Sequence, residues 1–154
     1  MQMPTPNDHH RALARLTGRW RGVETMHPSP WDPKGGKADG ETESRVDLGG
    51  FAVIADYRQL KDGQVTYTGH GVYTIDPEGH DVVLHWFDAI AGQREEFRGR
   101  WDGDVLTIRS RSPSGHARLT YDLSEPDRMR SAMDMSPDGE TWNRPFDGVY
   151  ERVG

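Results

Sequence analysis

Two histidines, His70 and His85, are the side chains of this sequence best suited to binding or proton-transfer chemistry. Each lies among bulky residues in a segment of strand-like composition. Histidine gains or loses a proton near neutral pH, and its ring nitrogens also ligate haem iron. Either residue could therefore ligate haem, or donate a hydrogen bond to the carboxylate or phenolate of a ligand. A hydrogen-bonded structural role is the alternative for both.

Among the acidic residues, Glu24 is the candidate for a buried charge. Strict alternation along the first predicted strand places Glu24 on the same side as Trp20 and Met26, which faces the interior. A buried carboxylate needs a partner, and we expect Arg98 or Arg109 to supply it. The other close carboxylate pairs fall in turns or on solvated strand faces.

Sequence motifs of catalysis and metal binding are absent. The chain contains no Gly-x-Ser-x-Gly, no His-x-His, no His-Glu-x-x-His and no cysteine. The glycines of Gly69-His70-Gly71 are placed in the middle of a strand, where they favour a sharp bend or a close approach of a ligand rather than a phosphate site. We predict no catalytic residue, no metal site and no cofactor, with haem as the open exception.

The elements that must position these side chains are short strands separated by turn residues. Asp62-Gly63 is typical of a two-residue hairpin turn, because both residues tolerate a positive φ. Residues 27–36 contain three prolines and two glycines, which predicts a long loop. Residues 1–6 are predicted to be a loose arm, and residues 7–17 a helix with an apolar stripe that covers one end of the structure.

The turn pattern predicts about ten antiparallel strands between residues 18 and 154. Such a series favours closure into a barrel, because closure removes exposed strand edges. We therefore predict a single all-β domain over residues 1–154, an up-and-down barrel, with a two-sheet sandwich as the alternative. The predicted strands cover residues 19–26, 39–48, 51–60, 64–75, 81–90, 94–101, 105–111, 116–123, 128–136 and 146–153.

Alternation within the strands predicts an interior rich in aromatic and methionine side chains. Such an interior suits an amphipathic organic ligand, and it equally suits a packed core. For a ligand that enters beside the loop at residues 27–36, we expect the polar contacts to come from Tyr57, Tyr67, His70, His85 and Arg98. The inward-facing residues predicted by alternation are Phe51, Val53, Ala55, Tyr57, Val65, Tyr67, Gly69, Gly71, Tyr73, Phe97, Trp101, Leu119, Tyr121, Met129, Met133 and Met135.

The overall charge limits the partners of this protein. A formal net charge of −6 at pH 7 repels phosphate backbones, which argues against nucleic acid. The chain has no apolar stretch of about 18 residues, which argues against membrane insertion, and residues 1–10 lack the apolar core of a signal peptide. We expect a cytoplasmic protein with a small-molecule ligand.

The segment Gly18-Arg19-Trp20 resembles the Gly-x-Trp that opens the first strand of lipocalins and their calycin relatives. In those barrels the tryptophan plugs the closed end and an arginine of the last strand covers it, and Arg152 matches that arginine. The chain also resembles the bacterial DUF1579 family in residues 26–31, 49–54, 69–71 and 85–88. The resemblance implies a lipocalin-like barrel of unassigned activity over nearly the whole chain.

Three classes of function remain open. The first is a binding module that holds a small, partly apolar ligand. The second is an isomerase or hydrolase-like enzyme that uses an interior His70 or His85 as general base, and a haem-binding barrel of the nitrobindin type is a related alternative. The third is a homodimer that pairs through an outward-facing apolar surface of Val82, Leu84 and Trp86.

Overall fold

The computed structural model describes residues 1–30 and 32–154, so Trp31 in the predicted mouth loop lies outside the described residues. The described residues form ten antiparallel strands, each paired with its neighbours in the sequence, and β10 closes on β1. This confirms the predicted all-β, up-and-down barrel. The strands are β1 Gly18–Met26, β2 Gly36–Asp47, β3 Ala52–Lys61, β4 Gln64–Ile75, β5 Val82–Asp88, β6 Glu95–Asp102, β7 Val105–Ser112, β8 Gly115–Asp122, β9 Arg128–Ser136 and β10 Asn143–Arg152.

A short helix, α1 Asp8–Leu13, covers one end of the barrel and is continued by a 3₁₀ turn over Ala14–Leu16. Asn7 caps the helix by accepting a hydrogen bond from the backbone N–H of His9. Leu13 and Leu16 are buried in the core beneath it. The regular α-helix is therefore shorter than the predicted segment 7–17, because its last turn tightens to 3₁₀ geometry.

Trp20 and Arg152 meet at this closed end, as the resemblance implied. The two residues face each other across the β1–β10 pairing. The Arg152 guanidinium carbon lies 4.4 Å from the centre of the Trp20 ring, and Nη2 donates a hydrogen bond to the carbonyl oxygen of Arg15. One side chain thus ties the last strand to the first strand and to the helical segment.

Replacing Arg152 with leucine is expected to lower the free energy of unfolding by about 2 kcal/mol, because the cation–π contact and the hydrogen bond to a backbone carbonyl are both lost. Urea denaturation measures the change. Arg111→Leu is the matched control, since Arg111 is exposed on β7 at the other end of the barrel. Equal stability of the two variants would show that Arg152 does not hold the end closed.

The turn residues explain the strand order. Asp62 and Gly63 both have positive φ, 52° and 76°, and they join β3 to β4 as the sequence predicted. Equally short turns join β6 to β7 and β7 to β8. Because each strand reverses directly into the next, the chain winds once around the barrel with no crossing connection.

The core lies beneath the helix, along the β3 to β8 side of the barrel. It is built from inward-facing apolar residues of β3 to β8 together with Leu13 and Leu16. Leu84, Leu106 and Ile108 have no exposed surface. Among the described residues, no helix is both long and apolar enough to cross a membrane.

Candidate functional site

Beside this core the barrel contains a cavity of about 470 Å³, whose lining extends from Leu16 and Trp20 near the closed end to the mouth. It opens beside the loop between β1 and β2, which contributes His27, Ser29 and Asp32 to its rim. The opening is therefore at the end opposite α1, as predicted. A cavity of this size is within the range of small-molecule sites. Its aromatic lining residues are Trp20, Tyr57, Tyr67, Tyr73, Trp86, Phe97, Tyr121, Phe146 and Tyr150.

Glu24 is the most deeply buried charged residue of this wall, with no exposed surface. The Tyr57 hydroxyl donates to Oε1 and Oε2 over 2.7 and 2.9 Å, and the Tyr150 hydroxyl donates to Oε2. The Gln59 amide donates to Oε1 over 3.1 Å. Burial, followed by the adjacent Glu24 carboxylate, raises the pKa of Tyr57 and Tyr150 well above the usual tyrosine value. Both hydroxyls therefore remain protonated donors.

Two glycines make room for this network. Gly40 on β2 and Gly148 on β10 lie on the strands that flank β1. A Cβ at Gly40 would lie 2.5 Å from Cδ of Glu24, and one at Gly148 would lie 2.7 Å from Cζ of Tyr150. Neither position has space for a larger residue, so these glycines allow the carboxylate and the ring to lie against the wall.

A second carboxylate, Asp88, lies at the mouth end of β5. Its Oδ2 accepts hydrogen bonds from the Tyr67 hydroxyl over 2.8 Å and from Trp86 Nε1 over 3.3 Å. Its Oδ1 accepts one from the backbone N–H of Ile90. Partial burial opposes ionisation of Asp88, but these hydrogen bonds outweigh it and hold its pKa below the usual value. Asp88 is therefore ionised at neutral pH.

The aromatic rings join the two carboxylate networks. The Tyr57 ring centre lies 5.9 Å from that of Tyr67 and 6.1 Å from that of Trp86. Trp86 lies against Gly69, where a Cβ would be 2.5 Å from Cη2 of the indole. The lining thus combines flat aromatic faces with two hydrogen-bonded carboxylates.

The profile of the protein family described as "Protein of unknown function (DUF1579)" matches residues 5–152. The chain belongs to the DUF1579 family. No curated protein matches its sequence.

Solved structures with the same fold share little sequence with this DUF1579 chain. Rv2717c from M. tuberculosis matches with a TM-score of 0.70 at 16% identity, over 96% of this chain and 99% of its own. The S-type phycobiliprotein lyase CPES from Guillardia theta matches with a TM-score of 0.64 at 10% identity, over 94% of this chain and 92% of its own. At these identities the likeness shows a shared barrel fold.

Two of the five predicted binding residues line the cavity of the DUF1579 barrel: Tyr57 and Tyr67. The interior position predicted for His70, His85 and Arg98 is wrong. His70 lies on the outer face, where its Nδ1 is 2.7 Å from Oδ1 of Asp56 and its side chain is 69% exposed.

His85 and Arg98 also lie on the outer face of the barrel. Nδ1 of His85 lies 3.9 Å from Oε1 of Glu96. Arg98 donates to Asp76 over 2.9 Å and to Glu96 over 3.1 Å, so its charge is engaged on the outside of the barrel. Because side chains alternate between the two faces of a strand, His70, His85 and Arg98 point outward, whereas neighbours such as Phe97 point inward.

The inward position predicted for Glu24 is confirmed, but the predicted arginine partner is wrong. Arg98 lies on the outer face, and Arg109 is paired directly opposite it on the neighbouring strand, facing the same way. Tyrosine hydroxyls and an amide take the place of the arginine. Neutral donors therefore satisfy the oxygens of Glu24 in place of a cation.

The apolar dimer surface predicted at Val82, Leu84 and Trp86 is also wrong. Val82 and Leu84 belong to the core, and Trp86 lines the cavity. Because Val82, Val83 and Leu84 are all apolar and buried, the sequence of β5 does not show which face is inward.

The interior does not suit haem ligated by His70 or His85, because both rings are on the outside. Of the described histidines only His27 lines the cavity, and its Nε2 is 2.8 Å from Oδ2 of Asp147 at the rim. Within residues 1–30 and 32–154, no three His, Asp or Glu side chains are grouped to hold a metal ion.

Sequence analysis missed Asp88, Trp86, Gln59 and Tyr150 as site residues. Asp88 follows Trp86 by two residues and so shares its face, but the sequence of β5 does not show that this face is inward. Gln59 follows the inward Tyr57 in the same way. The partners of Tyr150 depend on which strands become neighbours on barrel closure.

Proposed function

We propose that this protein binds a small amphipathic, largely aromatic molecule inside the barrel cavity. The cavity of about 470 Å³ beside the rim residues His27, Ser29 and Asp32 carries the proposal. Its wall is mainly apolar and aromatic, with a few polar groups at fixed positions, which is the usual composition of a small-molecule site.

Tyr57 and Tyr67 are the polar side chains that we expect the ligand to meet. Both hydroxyls are held in place by carboxylates, Tyr57 by Glu24 and Tyr67 by Asp88. Their rings present flat surfaces on which an aromatic ligand can stack. A fixed orientation lowers the entropy that binding would otherwise cost.

The enzymatic alternative has less support from this geometry. It required His70 or His85 as a general base inside the cavity, and both point away from it. Among the interior carboxylates, Glu24 already accepts hydrogen bonds from three side chains, which occupy both of its oxygens.

The test is titration with N-phenyl-1-naphthylamine, a neutral aromatic probe whose fluorescence rises in apolar surroundings. We expect saturable binding to the native protein. Ser131 lines the cavity, so Ser131→Trp should fill it and weaken binding by at least about tenfold, or about 1.4 kcal/mol. Arg130→Trp is the matched control, because Arg130 is the exposed neighbour on the same strand.

The comparison of the two tryptophan variants decides the proposal. Loss of binding in Ser131→Trp with retention in Arg130→Trp supports an interior site. If the native protein does not bind the probe, or if both variants bind as tightly as it does, the proposed interior site is wrong. Urea denaturation of each variant shows that it is folded before it is titrated.

A further inference from the structure

Apart from His27 at the rim, the ionisable side chains that line the cavity are acidic residues and tyrosines. Four acidic residues contribute to its wall and rim: Glu24, Asp32, Asp88 and Glu95. No lysine or arginine is found among the lining residues that the structure describes. The chain has 19 lysines and arginines in total. Their absence from the described lining residues therefore reflects where they lie in the fold and not a shortage of them in the sequence.

Glu24 and Asp88 are held by neutral groups. Every donor to Glu24 is a tyrosine hydroxyl or an amide, and Asp88 accepts from a hydroxyl, an indole and a backbone N–H. Such donors stabilise a carboxylate without cancelling its charge. Inside a low-dielectric wall the remaining charge attracts a cation more strongly than it would in water.

The aromatic faces favour the same kind of ligand. Tyr57, Tyr67 and Trp86 form one cluster beside both carboxylates. The face of an aromatic ring attracts cations, and tryptophan attracts them most strongly. Rings beside uncompensated carboxylates form the type of surroundings in which an organic ammonium group is stabilised.

We propose that the ligand of this cavity is an organic cation, an apolar or aromatic group bearing a protonated amine, whose nitrogen lies against Asp88 beside the rings of Tyr67 and Trp86. This inference rests on the proposed interior binding function and specifies its ligand. Glu24 lies deeper in the wall, behind Tyr57, and strengthens the negative potential there.

The same lining disfavours carboxylate ligands such as fatty acids. A ligand carboxylate in this cavity would meet Asp88 and Glu24, with no lysine or arginine among the described lining residues to pair with it. The nearby arginine Arg98 is engaged on the outer face by Asp76 and Glu96. Like charges in a shared low-dielectric site repel strongly.

The test compares three compounds that share a naphthalene ring, at pH 7: 2-(1-naphthyl)ethylamine, 2-(1-naphthyl)ethanol and the carboxylate 1-naphthaleneacetate. They carry a positive, a neutral and a negative group on side chains of similar length. By isothermal titration calorimetry, the amine should bind the native protein at least about tenfold more tightly than the alcohol. The carboxylate should bind more weakly than either.

Two variants assign the preference to the carboxylates. Asp88→Asn should reduce the ratio of amine to alcohol affinity by about tenfold, since it removes one charge next to the nitrogen while keeping the shape. Glu24→Gln should reduce the ratio by a smaller factor. Glu78→Gln, in the exposed turn between β4 and β5 at the closed end, is the control and should leave the ratio unchanged.

The outcomes separate this inference from the proposed function. If the alcohol or the carboxylate binds as tightly as the amine, or if Asp88→Asn keeps the native ratio, the cation proposal is overturned while interior binding stands. If neither N-phenyl-1-naphthylamine nor any naphthyl compound binds, both are overturned. Should Glu24→Gln fail to fold, Asp88→Asn alone decides the question.

Discussion

Replacing Gly40 with alanine is expected to lower the free energy of unfolding by about 3 kcal/mol, combining overpacking with the disruption of hydrogen bonds to a carboxylate. The new methyl group would lie 2.5 Å from Cδ of Glu24 and 2.9 Å from Cε1 of Tyr150. Retreat of Glu24 into the cavity would separate it from its hydrogen-bond donors, and retreat of Tyr150 would break its packing against Trp20 and Met129. The carboxylate must leave its tyrosine donors or β2 must move away from β1.

Urea denaturation measures this loss, and Gly79→Ala is the matched control. Gly79 lies in the turn between β4 and β5, and no atom within 4 Å would meet a methyl group there. The control should change stability by less than about 0.5 kcal/mol. If Gly40→Ala is as stable as this control, Glu24 does not depend on the space that Gly40 leaves.

The strand order was predictable because turn residues act locally. Asp62-Gly63 specifies a tight hairpin by its own backbone preferences, whatever the rest of the chain does. The closed end was expected from the resemblance of Gly18-Arg19-Trp20 to the lipocalin Gly-x-Trp, and the contact between Trp20 and Arg152 agrees with it. Features that depend on a few consecutive residues, such as this hairpin turn, can be predicted from the sequence without knowledge of the rest of the fold.

The errors in the predicted site come from choosing residues by chemical type before testing the face. Placing Gly69 and Gly71 inside the barrel requires that His70 between them points outward, which is where it lies. In the same way the inward Phe97 places Arg98 outside. In both strands the side chains alternate between the inner and the outer face. The ability of histidine to act in catalysis gives no information about the face on which it lies.

The partners of Glu24 were beyond sequence analysis for a different reason. Tyr57 lies two strands away on β3, and Tyr150 lies on the strand that closes the barrel from the far end of the chain. Their approach depends on strand register and on the space left by Gly40 and Gly148. Those quantities are properties of the whole barrel rather than of any segment.

Gly69 sets the position of Trp86 and therefore the shape of the cavity. A methyl group at Gly69 would lie 2.5 Å from Cη2 of Trp86, and an indole ring is too rigid to bend away. Gly69→Ala should therefore push the ring from the β4 wall towards the cavity. We expect a loss of about 2 kcal/mol in stability, together with weaker binding of N-phenyl-1-naphthylamine by about tenfold.

A double-mutant cycle with Trp86→Leu assigns the effect to this contact. Leucine removes the ring that the methyl group would strike, so Gly69→Ala should cost less than about 0.5 kcal/mol in the Trp86→Leu background. Gly71→Ala is a second comparison, because its methyl group would come no closer than 3.0 Å to Cδ1 of Leu84 and a smaller loss is expected. If Gly69→Ala costs the same with and without the Trp86 ring, the strain lies in the β4 backbone. A coupling close to the full cost of Gly69→Ala would instead show that the close approach of Trp86 to Gly69 holds the aromatic wall in the position that leaves the cavity open.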